Sequence, residues 1–391
     1  MFNIIFLGLV SFFSDISSEM VYPLIPLYLT SAFGATPVLI GIIEGIAESI
    51  ASLLKVYSGY ISDKYKRKKI LAFGGYSTGI IYKIALLIGT SWTGILFARV
   101  IDRIGKGIRT APRDVLVCES ADANKMGKAF GIHKALDMAG SALGILIAFI
   151  LLSRADGNFD YQTLFAISII PAAIGLVILL FVKEKKQNRE IKVREPFWKN
   201  MRNLDVNLKL YLAVTFIFTL GNSSNAFLIL RGKSMGLTDA NVILLYFIYN
   251  VSAAFFSVPF GHLSDKYGRK KILVSGYITF ALVYFGFAFV SNTEVLVILF
   301  IIYGLYTAMT AGVERALISE ISPVNLKGTM LGLQATIVGI ALLPASVIAG
   351  LLWNVFGPQA PFVFGAGLSL FAAGMLIFLM NRNPKQKYEQ L

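Results

Sequence analysis

Residues 59–71 read GYISDKYKRKKIL and residues 261–273 read GHLSDKYGRKKIL, so one segment occurs twice with a shift of 202. A second echo keeps nearly the same register: Glu119, Asn124, Gly127 and Gly131 return as Glu320, Asn325, Gly328 and Gly332, 201 residues on. A shift that holds at two separate places marks an internal duplication spanning most of each half. Each copy of the longer motif follows an apolar block and ends in a burst of Lys and Arg. That pattern sets an apolar span against a basic edge.

Working outward from the motif, the chain is apolar almost everywhere else. Of its 391 residues 56% are hydrophobic and mean hydropathy is +0.70, which leaves too little polar surface for a water-soluble fold of this size. The apolar residues fall in twelve blocks, from 4–31 and 38–62 to 327–353 and 360–380. At ~1.5 Å rise per residue, each crosses a hydrocarbon core of about 30 Å. Six blocks separate equivalent points of the repeat. An even number gives both halves the same orientation, so the expected fold is all-α integral membrane, with twelve transmembrane helices in two six-helix bundles related by a pseudo-twofold along the membrane normal. The expected boundaries are 1–182 for the first bundle, 183–206 for a cytoplasmic linker and 207–391 for the second bundle with a short tail.

Lys and Arg concentrate in alternate loops: Lys64 to Lys69, Lys125 and Lys128, nine residues from Lys183 to Lys209, then Lys266 to Lys271, Lys327, and Arg382 to Lys387. The opposite loops hold only Arg154, Arg231 and Lys233. The positive-inside rule then places both termini in the cytoplasm of a multi-pass cell-membrane protein. The Met1 end has neither a basic leader nor a small-residue cleavage site, so the first span is expected to be retained. The same rule accounts for the net charge of +14 without nucleic acid, because the charges are short juxtamembrane clusters beside lipid headgroups. The single cysteine, Cys118, excludes an intrachain disulfide and has no zinc-type spacing around it.

The doubled G-x-x-x-D-K-x-x-R-K-K motif resembles the loop signature of the major facilitator superfamily. Lys66 stands where the family has glycine in the first copy, and Gly268 keeps it in the second. The segment RIGKGIRTA at 103–111 is similar to the family's R-x-x-x-G stretch, with Lys106 and Arg109 as departures. The resemblance implies alternating access by a monomer, and a conformational latch built from Gly59, Asp63, Arg67 and Glu119, with Gly261, Asp265, Arg269 and Glu320 as its second copy. The family's proton-driven exporters carry G-x-x-x-G-P-x-x-G-G in span five. Here Gly140 and Gly144 are present and the proline is not. The minimal reading of that glycine pair is close packing against the other half.

Charges at depth carry the chemistry, since each costs at least ~2.5 kcal/mol near the bilayer centre unless paired or hydrated. Helical rise puts Asp15, Glu48, Arg103 and Asp137 near the midplane, with Glu19 and Glu44 nearer the outer side. Asp15 and Glu19, Glu44 and Glu48, and His133 and Asp137 are each four apart, so each pair shares a helix face. Span four adds Arg99, Asp102, Lys106 and Arg109, a basic helix able to neutralise the acidic ones. Two readings stay open: a proton or cation relay, or ion pairs that hold the bundle together. Lys55, Lys83 and Lys134 are read as snorkelling or packing charges. In the second half Asn222, Asn225, Tyr246 and Asn250, with Tyr249, Tyr303 and Tyr306, suggest a recognition wall, against the alternative of ordinary interhelical hydrogen bonding.

The expected function is proton-coupled export of a small amphipathic or cationic solute. Import, or carriage of a divalent metal by the carboxylates and His133, is the alternative, and a non-transporting membrane sensor is a third reading. No nucleophile–base set, phosphate loop or metal box argues for an enzyme, and no cofactor is expected.

Overall fold

The computed structural model describes residues 2–65, 68–120, 126–154, 160–184, 205–322 and 327–381, with backbone alone at 56–65, 126–131, 327–329 and 379–381. The described chain is helical, without a β-strand. Twelve spans are present among the described residues. The first is broken: α1 (Phe2–Val21) meets a 3-10 turn at Tyr22–Leu24 before α2 (Ile25–Phe33) continues. Pro23 and Pro26 cause the break, because each lacks an N–H and crowds the preceding turn. Five unbroken helices follow: α3 (Pro37–Tyr65), α4 (Lys68–Ile88), α5 (Trp92–Ser120), α6 (Met126–Ser153) and α7 (Tyr161–Phe181).

The second half repeats the pattern. Its first span is α8 (Val206–Gly221) and α9 (Ala226–Ser234), interrupted at Asn222–Asn225, close to the repeat equivalent of the first break. Then come α10 (Asp239–Tyr267), α11 (Arg269–Phe289), α12 (Thr293–Ile321), α13 (Lys327–Phe356) and α14 (Ala360–Asn381). Eleven of these spans are long and apolar enough to cross a membrane among the described residues. The twelfth, α5, carries Arg99, Asp102, Arg103, Lys106, Arg109 and Arg113 within its length. Large apolar side chains such as Phe97, Leu282 and Phe289 point outward and are more than half exposed, as suits a surface solvated by hydrocarbon.

The chain forms two compact units: Met1–Arg194 with Ser224–Phe247, and Glu195–Ser223 with Ile248–Leu391. In the first, α1 packs on α6 and α7, and α5 packs on α3 and α4. Gly140 and Gly144 make the α1–α6 contact possible. A Cβ at Gly140 would sit on the carbonyl oxygen of Phe12, and one at Gly144 would lie 2.5 Å from that of Ile16. The glycine pair therefore packs within its own unit, against α1, and not against the other half as the spacing alone suggested.

The second unit is built around rings. Phe218 stacks on Tyr277 with centroids 3.8 Å apart, Phe280 on Tyr284 at 3.9 Å, and Tyr303 lies 5.1 Å from Tyr306. Offset and edge contacts of this kind add to the packing that small interhelical residues permit.

Candidate functional site

Spacing along α3 and α5 generates the site. Glu44 and Glu48 are one turn apart on α3, as are Arg99 and Arg103 on α5, so two helices in contact form two stacked rungs. On the first rung Arg99 Nε donates to Glu44 Oε1 at 2.9 Å and Nη2 to Oε2 at 2.6 Å. On the second, Arg103 Nη2 lies 2.7 Å from Glu48 Oε1. Asp102 sits between them, 3.5 Å from Arg99 Nη1 and 3.8 Å from Arg103 Nε. The broken first span supplies the cover: the Tyr22 ring lies 5.1 Å from the Arg99 guanidinium carbon and 5.3 Å from that of Arg103. Both guanidinium groups thus meet a π-face as well as a carboxylate.

Beside this ladder is a cavity of about 180 Å³ lined by Ser18, Glu19, Tyr22, Glu48, Tyr82, Arg99, Asp102, Arg103, Lys106 and Tyr246, all within the first unit. Lys83 is 1% exposed and its ammonium stands 5.0 Å from the Tyr82 ring centroid, so it is a core charge and does not snorkel.

A second polar cluster joins α1, α4, α5 and α6. Asp15 on α1 and Asp137 on α6 lie near each other where these two helices pack. Asp137 accepts from Lys134 Nζ at 3.1 Å and faces Arg113 at 3.9 Å. His133 is buried, with Nε2 3.0 Å from Ser11 Oγ, and that hydroxyl also contacts Tyr76 OH at 3.3 Å and accepts from Arg113 at 3.4 Å. The Gly140–Phe12 and Gly144–Ile16 approaches hold α1 and α6 close together beside Asp15 and Asp137.

The second unit presents fewer charges. Asn222 ends α8 and donates to Tyr306 OH at 2.8 Å, while Glu314 accepts from Tyr277 OH at 3.1 Å. Asn250 lies half-buried in the same unit, whereas Asn225 and Tyr246 belong to the first unit, where the Tyr246 ring is 6.2 Å from Tyr22. The expected recognition wall is thus divided between the two units.

At the repeated loops, Gly59 and Asp63 lie in α3 with backbone described, and Arg67 lies outside the described residues. Glu119 accepts from Lys68, and the Lys68 and Lys69 amides donate to Glu184 at 2.8 and 3.4 Å, which caps the start of α4 with a carboxylate. In the second copy Arg269 bonds Glu320 at 3.1 Å, Asp265 at 3.4 Å and the Ala316 carbonyl at 3.0 Å, with Gly261 half-buried on α10. Gly268 takes φ +97° between α10 and α11, a conformation that favours glycine.

Sequence reasoning left Tyr22, Tyr82 and Glu184 unassigned. The Tyr-Pro at 22–23 was a legible break signal, and an Arg-rich helix facing it was the clue to a ring over the guanidinium groups.

A profile of the Major Facilitator Superfamily matches residues 7–229 and again 210–391. An MFS-type transporter of Methanocaldococcus jannaschii is 39% identical over 386 residues, covering 96% of this chain and 94% of that protein. The quinolone resistance protein NorA of Staphylococcus aureus is 31% identical over 154 residues, 39% of each chain. Among solved structures, a point mutant of the nucleoside transporter NupG superposes with a TM-score of 0.81 at 13% identity, over 96% of this chain and 99% of that one.

Proposed function

Because the chain belongs to the major facilitator superfamily, we propose that it is a proton-coupled secondary transporter that exports a small cationic or amphipathic solute by alternating access. A multi-pass membrane carrier of small solutes is the general activity of the family. Coupling and direction are the added steps. The observation that supports proton coupling is the nearness of Asp15 and Asp137: two carboxyls close together on packed spanning helices favour sharing one proton, which can leave when solute or water reaches them. Lys134 and Arg113 beside Asp137 stabilise the pair once the proton leaves. The partial likeness to a quinolone resistance protein supports export.

In this reading two six-helix bundles, 1–182 and 207–391, rock about the 183–206 linker with both termini in the cytoplasm. Gly59, Asp63, Arg67 and Glu119 latch one face of the cycle and Gly261, Asp265, Arg269 and Glu320 repeat the device.

The test is solute-driven proton movement in proteoliposomes containing a trapped pH dye. Wild type is expected to move protons with an amphipathic cation, and Asp15→Asn or Asp137→Asn to abolish proton movement while leaving solute exchange at equal concentrations. Solute movement without proton flux in wild type, matched by both variants, overturns the coupling.

A further inference from the structure

We propose that the cavity beside the Arg–Glu ladder binds a compact zwitterion, with the solute's anionic oxygens on Arg103 and Tyr82 and its ammonium on Glu19. The inference rests on the transport reading above and replaces its cationic solute with one whose charges balance. Four side-chain atoms among the described residues are buried without a hydrogen-bond partner, and three of them, Glu19 Oε2, Tyr82 OH and Arg103 Nε, belong to residues lining this one cavity. Tyr82 is 1% exposed and Arg103 4%. A buried polar atom without a hydrogen bond costs about 1–3 kcal/mol, and the Asp102 carboxylate 3.8 Å from Arg103 Nε is too far to supply one, so three such atoms on residues lining one cavity point to a ligand that bonds them.

The chemistry of the three atoms is specific. Arg103 Nε can only donate, Tyr82 OH can donate, and an ionised Glu19 can only accept. A ligand must therefore bring an acceptor to one side and a donor to the other. Charge narrows it further. Among the lining residues Glu19, Glu48 and Asp102 stand against Arg99, Arg103 and Lys106, three of each sign. A ligand with a net charge would leave one unbalanced ion in a low-dielectric setting, whereas a zwitterion leaves none.

Size completes the argument. At about 30 Å³ per water the cavity of about 180 Å³ holds about six, below the roughly 300 Å³ at which drug-sized sites begin. A small amino acid suits that space and a multi-ring compound does not.

Binding is measured by calorimetry on the full chain in lipid nanodiscs, using glycine, β-alanine, γ-aminobutyrate and 5-aminovalerate, with butylamine and butyrate as matched single-charge probes. One of the amino acids is expected to bind at least about tenfold tighter than either control. Tyr82→Phe is expected to weaken it roughly fivefold. Glu19→Gln should remove the preference over butyrate, with the thermal midpoint of both variants reported beside wild type to show that they remain folded. Equal binding of butylamine or butyrate, or no binding by any of the four amino acids, overturns the proposal. This readout contains no proton step, so selective binding without proton flux in liposomes would leave the zwitterion site standing and remove the coupling alone.

Discussion

Glu44 takes two hydrogen bonds from Arg99, at 2.9 and 2.6 Å, and both side chains are 1% exposed. Such a fork is costly to assemble and costlier to halve, because the survivor of a single deletion is a buried ion. Glu44→Ala or Arg99→Ala alone should cost about 3–5 kcal/mol, and Glu44→Leu with Arg99→Met should recover most of it. A double-mutant cycle on thermal unfolding in detergent measures the recovery. Additive losses would show that the pair does not act as a unit.

The second rung should respond differently. Glu48 is 29% exposed where Glu44 is 1%, so its charge is partly hydrated from the cavity. Glu48→Gln is expected to cost roughly 1–2 kcal/mol, well below the first rung, while lowering solute transport at least about tenfold. Unfolding midpoints and liposome uptake on the same preparations separate the two effects.

Packing at α1 and α6 leaves no room for a methyl group. Gly140→Ala must displace the Phe12 carbonyl, and a loss of about 1–3 kcal/mol is expected. Gly374→Ala on α14 is the control: nothing lies within 4 Å of its Cβ position, and the change should stabilise by about 0.5–1 kcal/mol through helix propensity. Equal unfolding midpoints for both variants would refute the close approach.

Asp160 caps α7, accepting from the Gln162 and Thr163 amides at 3.0 and 3.2 Å and from the Thr163 hydroxyl at 2.6 Å. These bonds, the hydroxyl first, hold its carboxyl below the usual carboxylate range. A group with a lowered folded pKa stabilises fully above its unfolded value, and loses that contribution as pH falls through the folded one. Asp160→Ala should therefore cost about 1 kcal/mol at neutral pH, with the gap from wild type narrowing below about pH 4. Melting curves of both proteins across that range check the sign.

Much of this molecule could be read from its sequence because membrane spans obey a single length rule and the duplication doubles every signal. The i,i+4 spacing of Glu44 with Glu48 and of Arg99 with Arg103 exposed two charged stripes, yet it could not say which stripe faced which. That is a tertiary contact across 55 residues. Nor did apolar content reveal the breaks at Tyr22–Leu24 and Asn222–Asn225, since hydropathy averages over a kink that satisfies its backbone locally. The Lys68–Glu119 contact was hidden for another reason. Neighbouring residues in a basic loop are chemically interchangeable until a fold fixes their directions, and the motif pointed to Arg67.

The backbone contact at Gly140 and Gly144 bears on timing. Helices that touch carbonyl to Cα cannot part without losing that packing, so α1 and α6 travel as one piece through any rocking motion. On the proposed route a proton held at Asp15 or Asp137 is then released by the arrival of water or solute and not by separation of the two helices. The pace of proton exit becomes a question of wetting, set by how often solvent reaches α6, and it should be slowed by viscosity-neutral dehydrating osmolytes more than by stiffening the bilayer.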